Sequence, residues 1–370
     1  MLRQEYEKLE TELFSPFATL SNKTKGRTTP ETKDSHRTEF QRDVDRILYS
    51  KAFRRLQYKT QVFIAPKGDH YRNRLTHTLE VMTISRSISR TLRLNSDLTE
   101  AIALGHDLGH SPFGHAGEAI IDKKCKEYSS RIHFSHPEQS LRVVDILEKR
   151  LKSNGKTVFG LNLTYEVRNG ILKHSKGLAN LSELKNVDMP ATLEGQIVRI
   201  ADRIAYIHHD IDDAIRAKII NEKDIPNSIR QISGKSNSKR LSTMILDTIE
   251  ASKGKDKICM SKNIENTMDE LKNFLTKKVY IGSSPKKEEK KVFRMMAYLF
   301  DHYYNNPKDM GDYLKYHPSV LKIKNPIKYI KKDKEKRLQV ICDYLSSMTD
   351  RFAIQKFYNI TTPNPLPISD

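Results

Sequence analysis

The run at residues 101–118, AIALGHDLGHSPFGHAGE, constrains this chain more than any other stretch of its sequence. It contains five side chains that could bind a metal or carry a proton, namely His106, Asp107, His110, His115 and Glu118. Leu98, Ile102 and His106 are spaced at i, i+4 and i+8, so a helix over 97–110 would turn His106 towards its buried face. A lone buried histidine is usually an ordinary core residue. Burying this many ionisable groups at one helix end is costly unless a metal or a substrate compensates, so the run predicts a functional site.

Small and capping residues surround the His106–Asp107 pair. Gly105 and Gly109 leave room for a ligand or for another backbone segment to approach. Asp97 and Glu100 predict a capping box where the helix starts. The pair is therefore expected at a crowded helix end that a close neighbour can reach.

Length and charge set broad limits on the class of protein. The 370 residues are enough for a sizeable core, arranged as one large domain or two smaller ones. The net charge is +19, from 65 Lys and Arg against 46 Asp and Glu. This excess favours polyanionic partners, either nucleic acids or nucleoside polyphosphates, although a solubilising surface would explain it equally well. The chain has no Trp and no RNP-like aromatic run, which argues against an RNA-recognition sheet.

Cysteine usage and hydropathy favour a cytoplasmic protein. The three cysteines, Cys125, Cys259 and Cys342, are far apart in sequence and form no CxxC pair. This fits a reducing compartment and argues against a zinc ribbon or a disulfide framework. No stretch approaches the ~20 apolar residues of a membrane span, and residues 1–20 are charged throughout without the apolar core of a secretory signal. We therefore expect a cytoplasmic protein that does not contact a membrane.

Hydrophobic periodicity predicts an all-α fold without a large sheet. Residues 1–37 are predicted as an N-terminal arm with a short helix at its start, and its polar, basic part at 21–37 is expected to be mobile. Residues 38–221 form the predicted core, and residues 222–370 a further helical region. Helices are predicted over 43–56, 75–94, 97–110, 115–128, 136–151, 163–174, 191–218, 240–252, 261–279, 287–304 and 336–347. A short β-like run is predicted at 61–64, with connecting segments at 65–70, 152–160 and 176–189.

Two lysine-rich runs lie in the C-terminal region, at 285–291 and 322–337. Runs of this kind most often form a solvated face. A phosphate-binding or subunit-contact surface is the sharper alternative, and the sequence leaves both open.

Two further helices offer partners for the His106–Asp107 pair. On the first, His77 begins an apolar stripe, so its imidazole should point inward. On the second, Asp202 flanks a stripe of isoleucines and begins a polar line that continues through Tyr206, Asp210 and Asp213. Taken singly, His77 and Asp202 would more often be core-edge residues than ligands. Together the three helices give the pattern H…HD…D, in which two imidazoles and two carboxylates could hold a divalent ion and leave positions open for water and a phosphate oxygen.

This constellation resembles the HD-domain metal phosphohydrolases. A narrower resemblance is to the bacterial deoxyguanosinetriphosphate triphosphohydrolases, and it covers residues 34–218 densely and 340–355 more thinly. It rests on the runs SKAFRRL (50–56), KTQVF (59–63), GDHYR (68–72), RLTHTLEV (74–81), GHDLGHSPFGHAGE (105–118), LNLTYEV (161–167), DRIAYIHHDIDD (202–213) and SMTDRF (347–352).

The resemblance implies a reaction and a set of roles. Members of this family cleave a deoxynucleoside triphosphate (dNTP) at the α-phosphorus into a deoxynucleoside and inorganic triphosphate, so a dNTP is the expected substrate. The implied metal ligands are His77, His106, Asp107 and Asp202. The implied catalytic pair is His115 and Glu118. The implied substrate-binding residues are Gln61, Arg74, His110, His136, Lys173, Tyr206 and Asp210.

Physical reasons accompany several of these roles. Glu118 lies one turn beyond His115 and could orient its ring, which would then act on the departing 5′ oxygen or on the attacking water. Arg74 shares a helix face with the first implied ligand, and its guanidinium could fork onto phosphate oxygens. A Tyr206 ring packed on the sugar would crowd a 2′-hydroxyl, while the Asp210 carboxylate could accept from the 3′-hydroxyl. The residues do not distinguish Mn, Mg, Fe, Ni and Zn.

Two other readings stay open. The same site could hydrolyse another nucleotide, such as a cyclic or alarmone-type phosphate or a nucleoside monophosphate. Alternatively, the chain could be a basic nucleic-acid-binding protein in which the metal site is secondary. The resemblance also implies a homo-oligomer and an effector nucleotide, without giving the stoichiometry or the preferred dNTP.

Overall fold

The computed structural model describes residues 2–61, 72–151, 155–175, 188–280 and 285–363, and these residues are mostly helical, as predicted. The helices of the first part are α1 (Arg3–Leu13), α2 (Glu39–Leu48), α3 (Lys51–Arg55), α4 (Arg74–Thr91), α5 (Ser96–Gly105), α6 (Gly114–Tyr128), α7 (His136–Arg142), α8 (Tyr165–Lys173) and α9 (Leu193–Arg216). The later helices are α10 (Asn227–Ser233), α11 (Asn237–Ser252), α12 (Lys262–Leu275), α13 (Pro285–Asn305), α14 (Asp312–Lys315), α15 (Pro326–Lys332), α16 (Lys334–Ser347) and α17 (Asp350–Thr361). Strands β1 (Lys149–Leu151) and β2 (Thr157–Phe159) form a short antiparallel pair with Arg150 opposite Val158.

A first hydrophobic cluster holds the helices that carry the H…HD…D pattern. Helices α4, α5 and α9 pack against one another, and α2 and α8 pack against α5. The periodicity of α9 explains its place, because its isoleucines at three- and four-residue spacing, from Ile197 to Ile211, are all buried. The cluster continues into α10, α11 and α12, through residues such as Ile229, Met244 and Met268.

A second hydrophobic cluster joins α6 to the C-terminal helices. Phe113 and the α6 side chains Ile120, Ile121 and Cys125 pack with the buried residues of α13, α16 and α17. The two clusters therefore do not divide the chain at residue 222. Helices α10–α12, which follow that residue, pack in the first cluster, and α6, which precedes it, packs in the second.

Two predicted helices are shorter in the structure than in the sequence analysis. The helix predicted over 43–56 is divided into α2 and α3, because the Ser50 side chain accepts a hydrogen bond from the Phe53 amide and starts a new helix. The helix predicted over 136–151 ends at Arg142, continues as one π-helical turn over Val143–Leu147 and then becomes β1. Part of the connecting segment predicted at 152–160 is strand β2.

Other local predictions also require correction or lie outside the described residues. The capping box predicted from Asp97 and Glu100 is wrong, since Asn95 is the N-cap of α5 and accepts from the Leu98 amide. Most of the β-like run at 61–64, the turn at 65–70 and most of the segment at 176–189 lie outside the described residues. Within the ranges that are described, no helix is both long enough and apolar enough to cross a bilayer.

The arm segment at 21–37, expected to be mobile, is instead held against the core by ion pairs. Arg27 donates to Glu39 at 2.6 Å and pairs with the fully buried Asp43. Glu31 accepts hydrogen bonds from Arg46 and from Arg150. Polar composition predicted disorder, but these polar groups have their partners within the core.

Two of the three cysteines meet in space although they are far apart in sequence. The Sγ atoms of Cys125 on α6 and Cys342 on α16 are 3.2 Å apart, and both side chains are buried. Both are free thiols, as is Cys259. Cys125 and Cys342 are therefore neighbours in the fold, although they are far apart in sequence.

Candidate metal centre and active site

The implied metal ligands converge from three helices of the first cluster. His77 lies in the first turn of α4, and its Nε2 is 3.1 Å from Oδ1 of Asp202 on α9 and 3.8 Å from Oδ2 of Asp107. His106 Nε2 is 3.5 Å from Asp107 Oδ2 and 3.9 Å from Asp202 Oδ1. The structure thus brings together the four residues that the sequence pattern selected.

A hydrogen bond to a backbone carbonyl determines which ring nitrogen of His106 faces the carboxylates. The residue follows the last residue of α5 directly and is fully buried, so it lies at the helix end rather than within a helix reaching residue 110. Its Nδ1 donates to the Ala103 carbonyl oxygen at 2.6 Å, which leaves Nε2 facing the carboxylates. Nε2 has no hydrogen-bond partner among the described residues. Metal-binding imidazoles are commonly oriented in this way.

The donor set fits a divalent cation. Burial opposes ionisation of Asp107, but the charges of His106 and Arg74 hold the pKa of its carboxyl well below its usual value. Burial likewise opposes ionisation of Asp202, yet the hydrogen bond from His77 lowers its pKa. Burial disfavours a charged His106, but Asp107 and Asp202 raise its pKa to about 9. Two ionised carboxylates therefore face imidazole nitrogens, an arrangement of buried charge that a cation would compensate.

The implied catalytic pair lies beside this cluster at the start of α6. His115 Nδ1 is 3.4 Å from Glu118 Oε2, and the His115 side chain is 60% exposed. Glu118 also accepts from the His136 backbone amide at 2.8 Å and contacts His136 Nδ1 at 2.9 Å. His110 Nε2 approaches the same carboxylate at 3.8 Å. One carboxylate thus orients two imidazoles, one exposed and one buried.

Arg74 and Gln61 line the loop that precedes α6. Arg74 is buried and forms an ion pair with Asp107. Gln61 is buried, and its Oε1 has no hydrogen-bond partner in the described part of the chain. A Cβ built on Gly114 would lie 3.2 Å from the Gln61 carbonyl and 3.5 Å from Arg74 Nη2, at a φ of +59° that favours glycine. The chain before α4 and the loop before α6 therefore approach each other closely here.

The other implied substrate residues are spread around the cluster. Lys173 forms an ion pair with Asp188 and lines a cavity of about 370 Å³ that Glu118 and His136 also line. Tyr206 is half-buried on α9, and burial raises the pKa of its hydroxyl well above the usual value. Asp210 is fully buried on α9, one turn beyond Tyr206.

Two histidines near the cluster escaped the sequence analysis. His174 is buried, with its ring centroid 5.0 Å from that of His106, and its donor atoms group with those of His106 and Asp202. His209 is fully buried, with its ring 5.0 Å from that of His77. His174 carried a signal in the sequence, because it continues the buried stripe of Val167 and Ile171 at helical spacing.

A buried lysine and an aspartate tie the site to the C-terminal helices. Lys59 Nζ donates to the carbonyl oxygens of His110 and Ser346 at 2.5 and 2.7 Å. Asp350, at the start of α17, accepts from the Phe113 amide and the Thr60 amide, both at 2.9 Å. The run SMTDRF therefore supports the loops on both sides of the candidate site.

Comparison with known proteins agrees with this architecture. A family model described as "HD domain" matches residues 74–207, and one described as "Phosphohydrolase-associated domain" matches residues 258–359. A protein of Caldanaerobacter subterraneus subsp. tengcongensis is 47% identical, covering 98% of this chain and 97% of its own length. Proteins of Desulfatibacillum aliphaticivorans and Rickettsia prowazekii are 44% and 37% identical, covering 99% and 95% of this chain and 99% of their own lengths.

All three relatives bear the name "Deoxyguanosinetriphosphate triphosphohydrolase-like protein". The HD match runs from Arg74 to Ile207 and so includes all four implied metal ligands. The similarity extends over nearly the whole of both sequences, including the C-terminal helices that pack on α6. The chain belongs to the deoxyguanosinetriphosphate triphosphohydrolase-like family of HD-domain phosphohydrolases.

Proposed function

We propose that this protein is a metal-dependent dNTP triphosphohydrolase that hydrolyses dGTP or other dNTPs at the α-phosphorus, releasing a deoxynucleoside and inorganic triphosphate. The observation that carries the proposal is the buried cluster of His77, His106, Asp107 and Asp202 lying beside the His115–Glu118 pair. The names of the relatives support the choice of substrate class.

The four clustered residues are proposed to hold one divalent cation, with Mn, Mg, Fe, Ni and Zn all compatible with the mixed nitrogen and oxygen donors. When bound, this ion would supply Lewis-acid polarisation of a phosphate oxygen and lower the pKa of a water molecule. Arg74 now pairs with Asp107. Once that carboxylate serves the cation, the guanidinium becomes available to fork onto the α-phosphate side of the substrate.

Proton transfer is assigned to the imidazoles around Glu118. The carboxylate fixes the ring of His115 through Nδ1, which leaves Nε2 of this exposed side chain for the substrate. His115 would then protonate the departing 5′ oxygen or act on the attacking water. His136 shares the same carboxylate and, with His110, is proposed to contact the phosphates.

Sugar recognition is assigned to α9 and its surroundings. Tyr206 is proposed to pack on the deoxyribose and exclude a 2′-hydroxyl, and Asp210 to accept from the 3′-hydroxyl. Gln61 is proposed to contact the sugar through its side-chain oxygen Oε1. Lys173 is proposed to contact a phosphate from the cavity that Glu118 also lines.

The resemblance also motivates a proposal about assembly. We propose a homo-oligomer, with an effector dNTP as a further partner and the exposed lysines of the 322–337 run on the contact or effector surface. Replacing Lys322, Lys324 and Lys328 with Ala should then lower the oligomer mass in light scattering or remove nucleotide activation. Unchanged mass and activation would reject this surface.

Product analysis tests the reaction. Purified protein with Mn²⁺ is incubated with each dNTP singly and with all four together, and the products are separated by anion exchange. We expect triphosphate and deoxynucleoside, absent in His106→Ala and retained in His133→Ala, a control at an exposed histidine. Activity only in the mixture would indicate an effector nucleotide.

Other products would contradict the proposal. Diphosphate or monophosphate would identify a different HD-domain nucleotide hydrolase. No turnover with any of the five metals would reject the enzyme and favour nucleic-acid binding by the basic surface. In that case affinity for DNA should fall steeply with salt.

A further inference from the structure

Another cavity lies between α9 and the chain segment that leads into α12. Its volume is about 430 Å³, which is within the range of small-molecule sites. Arg199 and Ile200 of α9 form one wall, and the opposite wall includes Ile258 and Met260. Among the described residues, none lines both this cavity and the one beside Glu118. The function proposed above therefore makes no use of it.

Arg199 is buried in the wall of this cavity with few partners. It is only 7% exposed. Its Nη1 contacts the Asp188 carbonyl oxygen and the Met189 sulfur, both at 3.3 Å. Its Nη2 is buried and has no hydrogen-bond partner among the described residues. The Asp188 carboxylate forms its ion pair with Lys173, and none of the described carboxylates forms one with Arg199.

The other buried arginines in the described part of the chain have acidic partners. Arg74 forms an ion pair with Asp107, and Arg240 forms one with Glu222. Removing a guanidinium from water costs free energy that a paired anion recovers. Arg199 therefore carries a buried charge for which the described residues supply no counter-ion.

Two acidic residues line the same cavity, and neither of them neutralises this charge. Glu265 forms its ion pair with Lys262, at 3.4 Å. Asp256 is exposed at the rim, where the neighbouring Lys257 is also exposed. The rim thus carries charges of both signs, while the buried wall carries the guanidinium.

The chemistry of the walls indicates the kind of molecule that fits. A guanidinium presents a planar set of donors that matches the oxygens of a phosphate or a carboxylate. Ile200, Ile258 and Met260 are all buried and offer apolar contacts beside it. A cavity of this volume has room for an organic group as well as an anionic head.

We propose that this cavity binds a small organic anion, whose phosphate or carboxylate oxygens accept hydrogen bonds from Arg199. The anion supplies the missing counter-ion, and the apolar wall contacts the rest of the molecule. This site is separate from the phosphate contacts proposed for His110 and His136. It also does not depend on which reaction the protein catalyses.

Cys259 provides a measurement that is local to the cavity. It lines the cavity as a partly buried free thiol, whereas Cys125 and Cys342 are buried. Iodoacetamide should therefore label Cys259 first in the native full-length protein. A ligand that excludes the reagent slows labelling by the factor 1 + [L]/Kd, so an anion at about ten times its Kd should slow it about tenfold.

Inorganic phosphate and acetate are the two probes. Each is titrated into chelator-treated full-length protein, and labelling of Cys259 is followed by peptide mass spectrometry. Sodium chloride at equal ionic strength is the reference. We expect at least one of the two anions to protect Cys259 beyond this reference, and the one that protects identifies the head group.

Variants assign the protection to Arg199. Arg199→Gln should lose it, and Arg199→Lys, which keeps the charge without the planar set of donors, should weaken it. Arg216→Gln is the matched control at an exposed arginine of the same helix and should retain it. His136→Gln should retain it too, because His136 belongs to the other proposed site. Thermal melting confirms that each variant is folded.

Labelling of the wild type that neither anion slows would overturn the proposal, and this result requires no variant. Protection that is equal in Arg199→Gln would show that Arg199 does not bind the anion. Protection that is lost in His136→Gln would place the anion in the proposed active site instead. Either of these two results would also reject the new site.

Discussion

At the scale of single residues, Gly109 shows why a small residue is needed beside the His106–Asp107 pair. The sequence left open whether this glycine admits a ligand or another backbone. In the structure, another backbone segment packs against Gly109. A Cβ at this position would lie 2.2 Å from the Ser140 amide nitrogen and 2.3 Å from the Gln139 carbonyl carbon. The Gly109 amide also donates to Ser140 Oγ at 2.9 Å. Gly109 therefore seats α7, and with it His136, against the site.

We expect Gly109→Ala to lower the stability of the fold by about 1–3 kcal/mol, because backbone cannot move aside as a side chain does. Activity should fall as well, since α7 carries His136. Gly105→Ala is the matched control, because its nearest neighbour is the flexible end of the Ile171 side chain. Thermal melting and steady-state rates check both variants. Equal melting temperatures for the two variants would show that the α7 contact is not tight.

Helical stripes in the sequence predicted three of the four proposed metal ligands. His77, His106 and Asp202 all lie on or beside such stripes, and the structure brings them together with Asp107. The same criterion would have selected His174, which continues the buried stripe of Val167 and Ile171. Contacts between His174 and His136 depend on how α7 and α8 cross, and nothing local in the sequence specifies that crossing.

At the scale of elements, the start of α17 acts as a support for two loops. Asp350 accepts from the Phe113 amide, whose residue has a φ of +61°, and from the Thr60 amide. A phenylalanine in the left-handed region is strained and needs such support. Burial raises the pKa of the Asp350 carboxyl, while the hydrogen bonds from Thr60 and Phe113 oppose this.

Asp350→Ala should lower kcat by about tenfold or more, because misplacing a catalytic group by about 1 Å can cost about 100-fold. Binding of Mn²⁺ should persist, since Asp350 contacts no implied ligand of the first cluster. The neighbouring exposed Arg351→Ala is the control and should leave the rate unchanged. Steady-state kinetics and metal analysis separate these effects. A normal rate in Asp350→Ala would remove the supporting role of α17.

The N-terminal arm gives a pH-dependent prediction. Partial burial would raise the pKa of Glu31, but hydrogen bonds from Arg46 and Asn162 and the charges of Arg46 and Arg150 lower it to about 2. The folded-state pKa is below the unfolded value of about 4.5, so this stabilisation is present above pH 4.5 and is lost as the pH falls towards 2.

Glu31→Gln should therefore destabilise the protein at pH 7, by about 1 kcal/mol after allowing for solvent screening of this partly exposed group. The difference from wild type should narrow as the pH falls below 4.5. Urea unfolding at pH 7 and at pH 3 measures it, with the exposed Glu12→Gln as control. A difference that is the same at both pH values would mean that the charge of Glu31 is not what fixes the arm.

Element boundaries were predicted less well than element existence, for reasons visible in the contacts. Helix α6 was predicted within one residue, because glycine and proline punctuate its start. Besides the Ser50 cap, Glu148, which follows the π-helical turn, accepts from the amides of Lys51 and Ala52 at the start of α3. That contact joins residues nearly a hundred positions apart, so no local pattern could indicate it.

At the scale of the whole molecule, the candidate site spans two hydrophobic clusters. His77, His106 and Asp202 stand on helices of the first cluster, while His115 and Glu118 stand on α6, whose apolar face packs in the second. A catalytic core over 38–221 and a further helical region over 222–370 were predicted from the sequence. The apolar residues of α6 do not reveal which neighbours cover them, so this division could not be predicted.

Leu299→Ala tests the division, because Leu299 is fully buried on α13 in the second cluster. Truncating a buried leucine should cost about 2–5 kcal/mol. We expect the rate to fall while the proposed cation stays bound, because α4, α5 and α9 are untouched. Leu98→Ala, at a fully buried position of α5, should weaken both activity and Mn²⁺ affinity. Equal loss of metal from both variants would show that the two clusters behave as one.

The proposed metal ligands lie with one cluster and the proposed proton-transfer pair with the other, so we expect the reaction rate to depend on how the two clusters pack together. Contacts across this boundary include Lys59, which joins the His110 and Ser346 carbonyls, and Asp350, which accepts from the Phe113 amide. A ligand, a neighbouring subunit or a substitution that acts only on the C-terminal helices would then shift His115 relative to the proposed metal site without altering His77, His106, Asp107 or Asp202. Natural variation in those helices could thus tune turnover while the metal chemistry stays constant.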